Sequence, residues 1–531
     1  MITFIFGLMI LFIGGALYGR LCEKVFCPDA RKTPAYEMED GVDYIPMKRW
    51  KNSLMNLLNI AGTGPILGPI QGILFGPIAF ITIPIGCVIG GAMHDYFSGM
   101  ICTREGGIQM PEVIKRNNNR AVFICFTAFV AFTSFLCAVV FIYTPGDLIA
   151  TQIFHFGGTT TELSTWIIYG CIFLYYIIAT ILPINKIIGR IYPIFGMLLL
   201  ASAVGVFVML FFTGSPLTEI WNNWTLNGFD FGAYFRSGHF IPMFFVTVAC
   251  GIMSGFHSTQ TALVSRTLQK EKHGRMAFYN MMILEGFIAM VWAAGAMAVI
   301  GFGAKNAGIT MQMTGNGWGY FREINGALQQ VSATSVVGVV CTKMLGGIGG
   351  FIAVLGIIIL PISTGDTALR SLRLTVAEAF SVKQKKASQR IMLSVPIFAV
   401  TLILLVWAKQ DPNGFNRLWQ YLGWGNQVLS VFATSAIMIY LMSHGKRKYV
   451  WMPMIPFVFY GIVTTSYIVY SPLGLGLNIH LAYMIAAAFT ILILALTLHR
   501  GIILSKRKSG ELFENDFEIG NNSEILKKSL H

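Results

Sequence analysis

Apolar runs of about 20 residues, each long enough to cross the hydrocarbon core as a helix, recur thirteen times along this 531-residue chain. Their approximate limits are 2–21, 53–75, 77–98, 121–143, 165–183, 191–212, 242–264, 280–302, 345–368, 391–408, 418–442, 450–470 and 480–503. Hydrocarbon offers no water to bond a backbone, so runs of this kind must be helical if they span. Only 12% of the residues are charged and 55% are hydrophobic, against about 25% charged in a soluble domain. That excludes a soluble globular enzyme, a disordered protein and a fibrous repeat. An outer-membrane barrel alternates over short segments, whereas these runs are continuous. The expected fold class is an all-α polytopic membrane protein with about 13 transmembrane helices. The first run has no basic residue ahead of it and no small-x-small cleavage site, so it reads as a retained helix.

The net charge is +14, and the positions of the cations explain it. Of 38 Lys and Arg residues, six lie in one set of alternate loops: Arg236, Lys305, Arg322, Lys343, Lys409 and Arg417. The other 32 lie in the opposite set and the C-terminal tail. The positive-inside rule places that basic side in the cytoplasm, with the N-terminus outside and the C-terminus inside. Nucleic-acid binding is then unneeded. The nine cysteines form no CxxC pair. Cys22 and Cys27 share a segment without histidine partners, so no metal site or disulfide framework is expected. The segments 22–52, 213–240 and 303–344 read as loops, too short for a catalytic domain.

Two spans are interrupted near their midpoints. The span at 53–75 carries Asn56, Asn59, Ala61-Gly62-Thr63-Gly64-Pro65 and Gly68-Pro69; the span at 242–264 carries Gly251, Ser254-Gly255 and His257. They lie five spans apart and therefore run in opposite directions. Such a discontinuous pair is the sequence pointer to an inverted-repeat transporter. Each break frees backbone groups that only a ligand, ion, water or neighbouring helix can satisfy. Pro65 suits the first turn of an outer half-helix, and Ser254 is placed to cap the second half of the other. Both half-helix N-termini would aim partial positive charge at the midplane, favouring an anionic group such as a carboxylate. Gly72, Gly90-Gly91 and Gly346 to Gly350 read as close-packing glycines.

Ionisable residues inside spans are costly and mark function. His257 follows the second break and is a candidate for the central site. His94-Asp95 sits towards the cytoplasmic end of its span, as a gate, a proton relay, an interfacial cap or a pair bonded to a neighbouring helix. Glu285 is a carboxyl able to carry a proton or to snorkel. Ser363, Thr364 and Asp366 cluster at the end of another span. Their oxygens could ligate Na⁺ or line a path, while Asp366 and Arg370 have the i,i+4 spacing of a pair. Asp147 reads as an extracellular turn residue. The chain shows no P-loop, GxSxG or HExxH pattern; an ion gradient, not ATP, is the expected energy source, and no enzymatic activity is expected.

The stretches NIAGTGPILGPIQGILFGPI (59–78), GGAMHDYFSGMI (90–101), SGFHSTQTALVSRT (254–267) and STGDTALRSLRL (363–374) resemble the CstA (carbon-starvation protein A) family of bacterial transporters, in its shorter branch. The resemblance implies peptide uptake or pyruvate:proton symport and a LeuT-like fold of two inverted five-helix repeats. It implies extra helices at both ends. The division expected is 1–52, an N-terminal helix and cytoplasmic loop; 53–212, the first repeat; 240–442, the second; 443–504, two added helices; and 505–531, a cytoplasmic tail. By fold analogy, the two broken spans hold the substrate.

The expected function is an ion-coupled secondary transporter of the bacterial cytoplasmic membrane. It would import a small carboxylate-bearing nutrient, a peptide or pyruvate, by alternating access; a membrane nutrient sensor and a channel are the alternatives. Substrate binding falls to Asn59, Gly62, Thr63, Gly64, Pro65, Ser254, Gly255, His257 and Gln260. Ion coupling or gating falls to His94, Asp95, Glu285, Ser363, Thr364 and Asp366. No cofactor is expected, H⁺ is favoured over Na⁺, and membrane lipids are the surrounding partner.

Overall fold

The computed structural model describes the chain apart from residues 42, 157–161, 182–183, 227–228, 237–239, 302–308, 315–316, 325–326, 332, 381, 383–386, 412–413 and 529–531. Every apolar run has a helical counterpart. They are α1 (Ile2–Phe26), the pair α2 (Arg49–Ile60) and α3 (Gly64–Phe75), α4 (Ala79–Arg104), α5 (Arg120–Ile153), α6 (Leu163–Ile181) and α7 (Ile184–Phe212). The run at 242–264 is three pieces: α8 (Phe240–Thr247), α9 (Ala249–Ile252) and α10 (His257–Ser265). Then come α11 (Glu271–Ile300), α12 (Ala333–Ala379), α13 (Ala387–Gln410), α14 (Gly414–Ser443), α15 (Trp451–Tyr470) and α16 (Ile479–Lys528). Among the described residues, nine helices are each long and apolar enough to cross a membrane, and α2 with α3, bent by 48°, makes a tenth.

Burial grades from the centre outward. The apolar window of α11 is 94% buried within the protein, that of α1 33% and that of α16 22%. The outward faces of the peripheral helices are bare hydrocarbon: Ile2 and Leu17 on α1, Ile403 on α13, Leu496 on α16. An apolar surface of that extent is stable only against lipid. Inside, small residues let backbones close up. A Cβ on Gly91 of α4 would collide with the Ile252 carbonyl oxygen of α9.

Three segments differ from their sequence reading. The run 303–344 contains an antiparallel sheet, β3 (Thr310–Thr314), β4 (Gly317–Ile324) and β5 (Ala327–Val331), in the order β3-β4-β5 with Met311 opposite Tyr320 and Tyr320 opposite Val331. A shorter hairpin, β1 (Thr225–Leu226) with β2 (Phe229–Asp230), lies in 213–240. The Tyr320 hydroxyl donates to the Ile70 carbonyl of α3, pinning the larger sheet to the outer half of the first broken span. Asp147 is helical, not a turn residue. It accepts from the Tyr169 hydroxyl at 2.7 Å and pairs with Lys409 of α13 at 2.8 Å, so α5 runs on past Pro145.

Gly346 is a fourth correction. It does not pack: nothing lies within 4 Å of a Cβ built on it. Its φ of 71° and ψ of −169° put a corner in α12, separating residues 333–345 from 347–379. That backbone region is open essentially to glycine alone and costs another residue about 1–3 kcal/mol. Gly346→Ala should therefore lower the thermal unfolding midpoint in detergent, while Gly347→Ala, also with open space around it, should leave it nearly unchanged. Equal midpoints for the two variants would contradict the corner.

Candidate functional site

The structure brings the two breaks together. A Cβ on Gly64, the first residue of α3, would collide with the Cys250 side chain in α9, and one on Gly68 would stand 2.9 Å from the Thr247 carbonyl oxygen. Only glycines permit that approach. Pro65 occupies the first turn of α3 as expected, where no N–H is needed. On the inner side of the break, the Thr364 hydroxyl of α12 donates to the Leu58 carbonyl at 2.8 Å, satisfying one group that the unwinding frees. Thr364 thus ties α12 to the first break.

The second break is closed by a residue that the sequence reading passed over. Asn426 of α14 takes the Gly255 N–H on its backbone oxygen at 3.2 Å. Its side-chain Oδ1 accepts from the Phe256 N–H at 2.7 Å and the Ser254 hydroxyl at 3.0 Å. Ser254 is therefore not the N-cap of α10; Phe256 holds that position, and Ser254 donates across to α14. The amide oxygen sits where an anionic ligand was expected to meet these donors. One signal was present in the sequence, an asparagine in the middle of an apolar span between Gly425 and Gln427.

Four ionisable side chains converge beside the second break, and all are at most 2% exposed. His94 presents Nδ1 to one Asp95 oxygen at 2.8 Å, and His257 presents Nδ1 to the other at 2.8 Å. The far nitrogen of His257, Nε2, stands 3.6 Å from a Glu285 oxygen. Three elements supply the chain His94–Asp95–His257–Glu285: α4, α10 and α11. The pair His94-Asp95 does not cap a helix end, since α4 continues to Arg104 and both residues are buried. Glu285 does not snorkel; it is fully buried. Nδ1–H of each imidazole can donate to Asp95, leaving Nε2 as an acceptor. Among the described residues, His94 Nε2, His257 Nε2 and both Glu285 oxygens find no hydrogen-bond partner. Leaving such groups unbonded would cost roughly 1–3 kcal/mol each.

The remaining candidates divide. Asp366 is fully buried and lies 3.7 Å from Arg370, in the i,i+4 pairing its spacing implies; Arg370 also donates to the Ala179 carbonyl at 2.6 Å. The acids facing His257 are Asp95 and Glu285. The Ser363 side chain lies outside the described residues. Asn59 and Thr63 are buried, and neither amide atom of Asn59, nor the Thr63 hydroxyl, nor Gln260 Oε1 has a partner among the described residues. Asn52 donates to the Val264 carbonyl at 3.1 Å and to the Thr267 hydroxyl at 2.7 Å, so the start of α2 packs against the end of α10.

The chain matches the family model described as Carbon starvation protein CstA over residues 1–152, 139–334 and 325–467. An uncharacterized membrane protein of Haemophilus influenzae is 39% identical over 341 residues, which is 56% of this chain and 91% of the relative. The peptide transporter CstA of Escherichia coli is 23% identical over 523 residues, 80% of this chain and 74% of the relative. The fold is shared with a manganese transporter of Eremococcus coleocola. For one mutant form of that transporter the TM-score is 0.58 at 10% identity, over 89% of this chain and 99% of that one.

Removing the side chain that closes the second break tests the geometry directly. Asn426→Ala should destabilise the protein by about 1–3 kcal/mol, because the buried Phe256 N–H and Ser254 hydroxyl lose their acceptor. Thermal unfolding in detergent measures it, and a midpoint equal to wild type would show that the break is held by other contacts.

Proposed function

The chain belongs to the CstA family, and from that premise we propose that it is an ion-coupled secondary transporter importing small carboxylate-bearing nutrients, peptides or pyruvate, by alternating access. That it is a multi-pass membrane transporter follows from its apolar helices and its relatives. The finer reading rests on one observation: a buried chain of two imidazoles and two carboxyls touching a broken helix. Such a chain has acceptors and donors in sequence, His94 and His257 on Asp95 and His257 towards Glu285. Buried acids and histidines of this kind mark proton relays in transporters.

In this reading the substrate lies between the breaks. Gly62, Thr63, Gly64 and Pro65 on one side, and Ser254, Gly255, His257 and Gln260 on the other, frame it, with Asn59 offering amide donors to a carboxylate. His94, Asp95, His257 and Glu285 carry the coupling proton. Ser363, Thr364 and Asp366 of α12 line the path or the ion route. The LeuT-like division into repeats at 53–212 and 240–442 is supported by the positions of the two breaks. The distribution of basic loops supports a topology with the N-terminus outside and the C-terminus in the cytoplasm. When substrate and proton are both bound, α2 to α4 and α8 to α11 rock against the rest and expose the site to the cytoplasm.

The test is uptake of labelled pyruvate into proteoliposomes with an alkaline lumen and no sodium, with unlabelled dipeptides as competitors. Accumulation that collapses on adding a protonophore, and competition by dipeptides, are the expected results. Uptake that only equilibrates across the membrane would indicate a channel. Uptake that requires sodium would overturn proton coupling.

A further inference from the structure

Two stretches of the segment between α1 and α2, residues 27–37 and 44–47, cross beneath the ends of α4, α10 and α11 and bond to each of them. Glu271, at the start of α11, is 1% exposed. Arg104, the last residue of α4, meets it with two N–H···O contacts of 3.0 Å and also donates to the Cys27 carbonyl at 2.8 Å. The Asp29 N–H donates to Glu271 at 3.0 Å, and Arg31 stands 3.6 Å away. Hydrogen bonds from Arg31 hold the Asp29 carboxyl well below the usual carboxylate range. The Thr33 hydroxyl donates to the Leu268 carbonyl at 2.5 Å.

The second stretch continues the pattern. The Ile45 N–H bonds the Arg266 carbonyl at 3.3 Å and the Met47 N–H bonds the Thr267 carbonyl at 3.0 Å, while Met47 forms a parallel bridge with Leu268. Arg266 donates to the Gly107 carbonyl at 2.7 Å and lies over the Tyr44 ring at 5.0 Å. Asn52 joins α2 to α10 just above. The helix α1 is attached to the same set: Glu23 pairs with Arg275 at 2.6 Å, and a Cβ on Gly19 would stand 2.8 Å from the Tyr279 ring.

We propose that this segment is a permanent clamp that welds α1, α2, α4, α10 and α11 into one rigid body, so that the cytoplasmic path opens by that body tilting, not by the inner half of the first broken span splaying away from α10. It rests on the transport reading and orientation proposed above. Energetics separates a clamp from a gate. Opening the segment takes the Asp29 N–H and the Arg31 guanidinium away from the buried Glu271 carboxylate and the Cys27 carbonyl away from Arg104, and stripping hydrogen bonds from a buried charge is unfavourable. A contact of that kind is poorly suited to being broken on every cycle. Among the described residues, the hydrogen bonds from this body to α12 include Ser371 to the Thr259 carbonyl at 3.0 Å and Thr364 to the Leu58 carbonyl at 2.8 Å, neutral bonds that cost less to exchange.

The experiment is a reversible cross-link, in protein whose exposed cysteines Cys27, Cys125 and Cys171 are replaced by serine. The pair Met47→Cys with Leu268→Cys ties the first broken span to the end of α10. Uptake should be the same within about twofold before and after oxidation, since a rigid-body movement leaves that distance unchanged. Loss of uptake on oxidation, recovered with reductant, would overturn the clamp. A second arm needs no transport: hydrogen exchange in Glu271→Gln. The amides of Asp29, Ile45 and Met47 should speed up together, by roughly tenfold or more, as one cooperative unit. Acceleration at Asp29 alone would overturn the clamp. Failure of every reduced variant to take up substrate would count against the transport reading, leaving the exchange result to decide the clamp.

Discussion

A helix unwound at mid-membrane leaves N–H and C=O groups that hydrocarbon cannot bond, and the centre of this protein is organised by what supplies their partners. Asn426 reaches in from α14 to take the donors of the second break. Thr364 reaches from α12 to a carbonyl at the first. The breaks also lie against each other through Gly64 and Cys250. Each broken span is therefore stable only with the others in place. Helices that would otherwise pack loosely on apolar surfaces acquire a fixed register about the midplane.

That fixed register is what allows four ionisable groups to be buried side by side. Asp95 is held between two histidines, and His257 is held between two acids. Burial of one such group alone would be prohibitive. As a chain, Asp95 bonds both imidazoles and His257 lies within 3.6 Å of Glu285, so no member is buried without an ionisable neighbour. His257 is also the first residue of α10. Under the proposed function, the coupling proton and the substrate would then meet on one element, which is what coupling requires.

Much of this was legible in the sequence, for identifiable reasons. Each apolar run of span length has its helix, because the bilayer sets a length that few other environments impose. Glycine and proline at matching midpoints marked the two breaks. His94, Asp95, His257 and Glu285 each stood out as ionisable residues in apolar runs, though their assembly into one chain depends on helix rotation, which the sequence does not carry. Asn426 was missed because an asparagine among glycines has no distinguishing spacing. Arg104 and Glu271 were missed because a loop charge and a buried latch look alike until the chain is folded. The sheet at Thr310–Val331 was missed because a short polar run between apolar spans reads as loop.

The central claim is that the buried chain of His94, Asp95, His257 and Glu285 couples proton to substrate. Separating exchange from accumulation in Glu285→Gln proteoliposomes tests it most directly. If Glu285 carries the proton, the variant should exchange labelled for unlabelled substrate across the membrane at a rate near wild type, and should fail to concentrate substrate when the lumen is alkaline. Concentration to the wild-type level by the Gln variant would contradict the account, because a carboxamide in that position cannot pick up and release the proton.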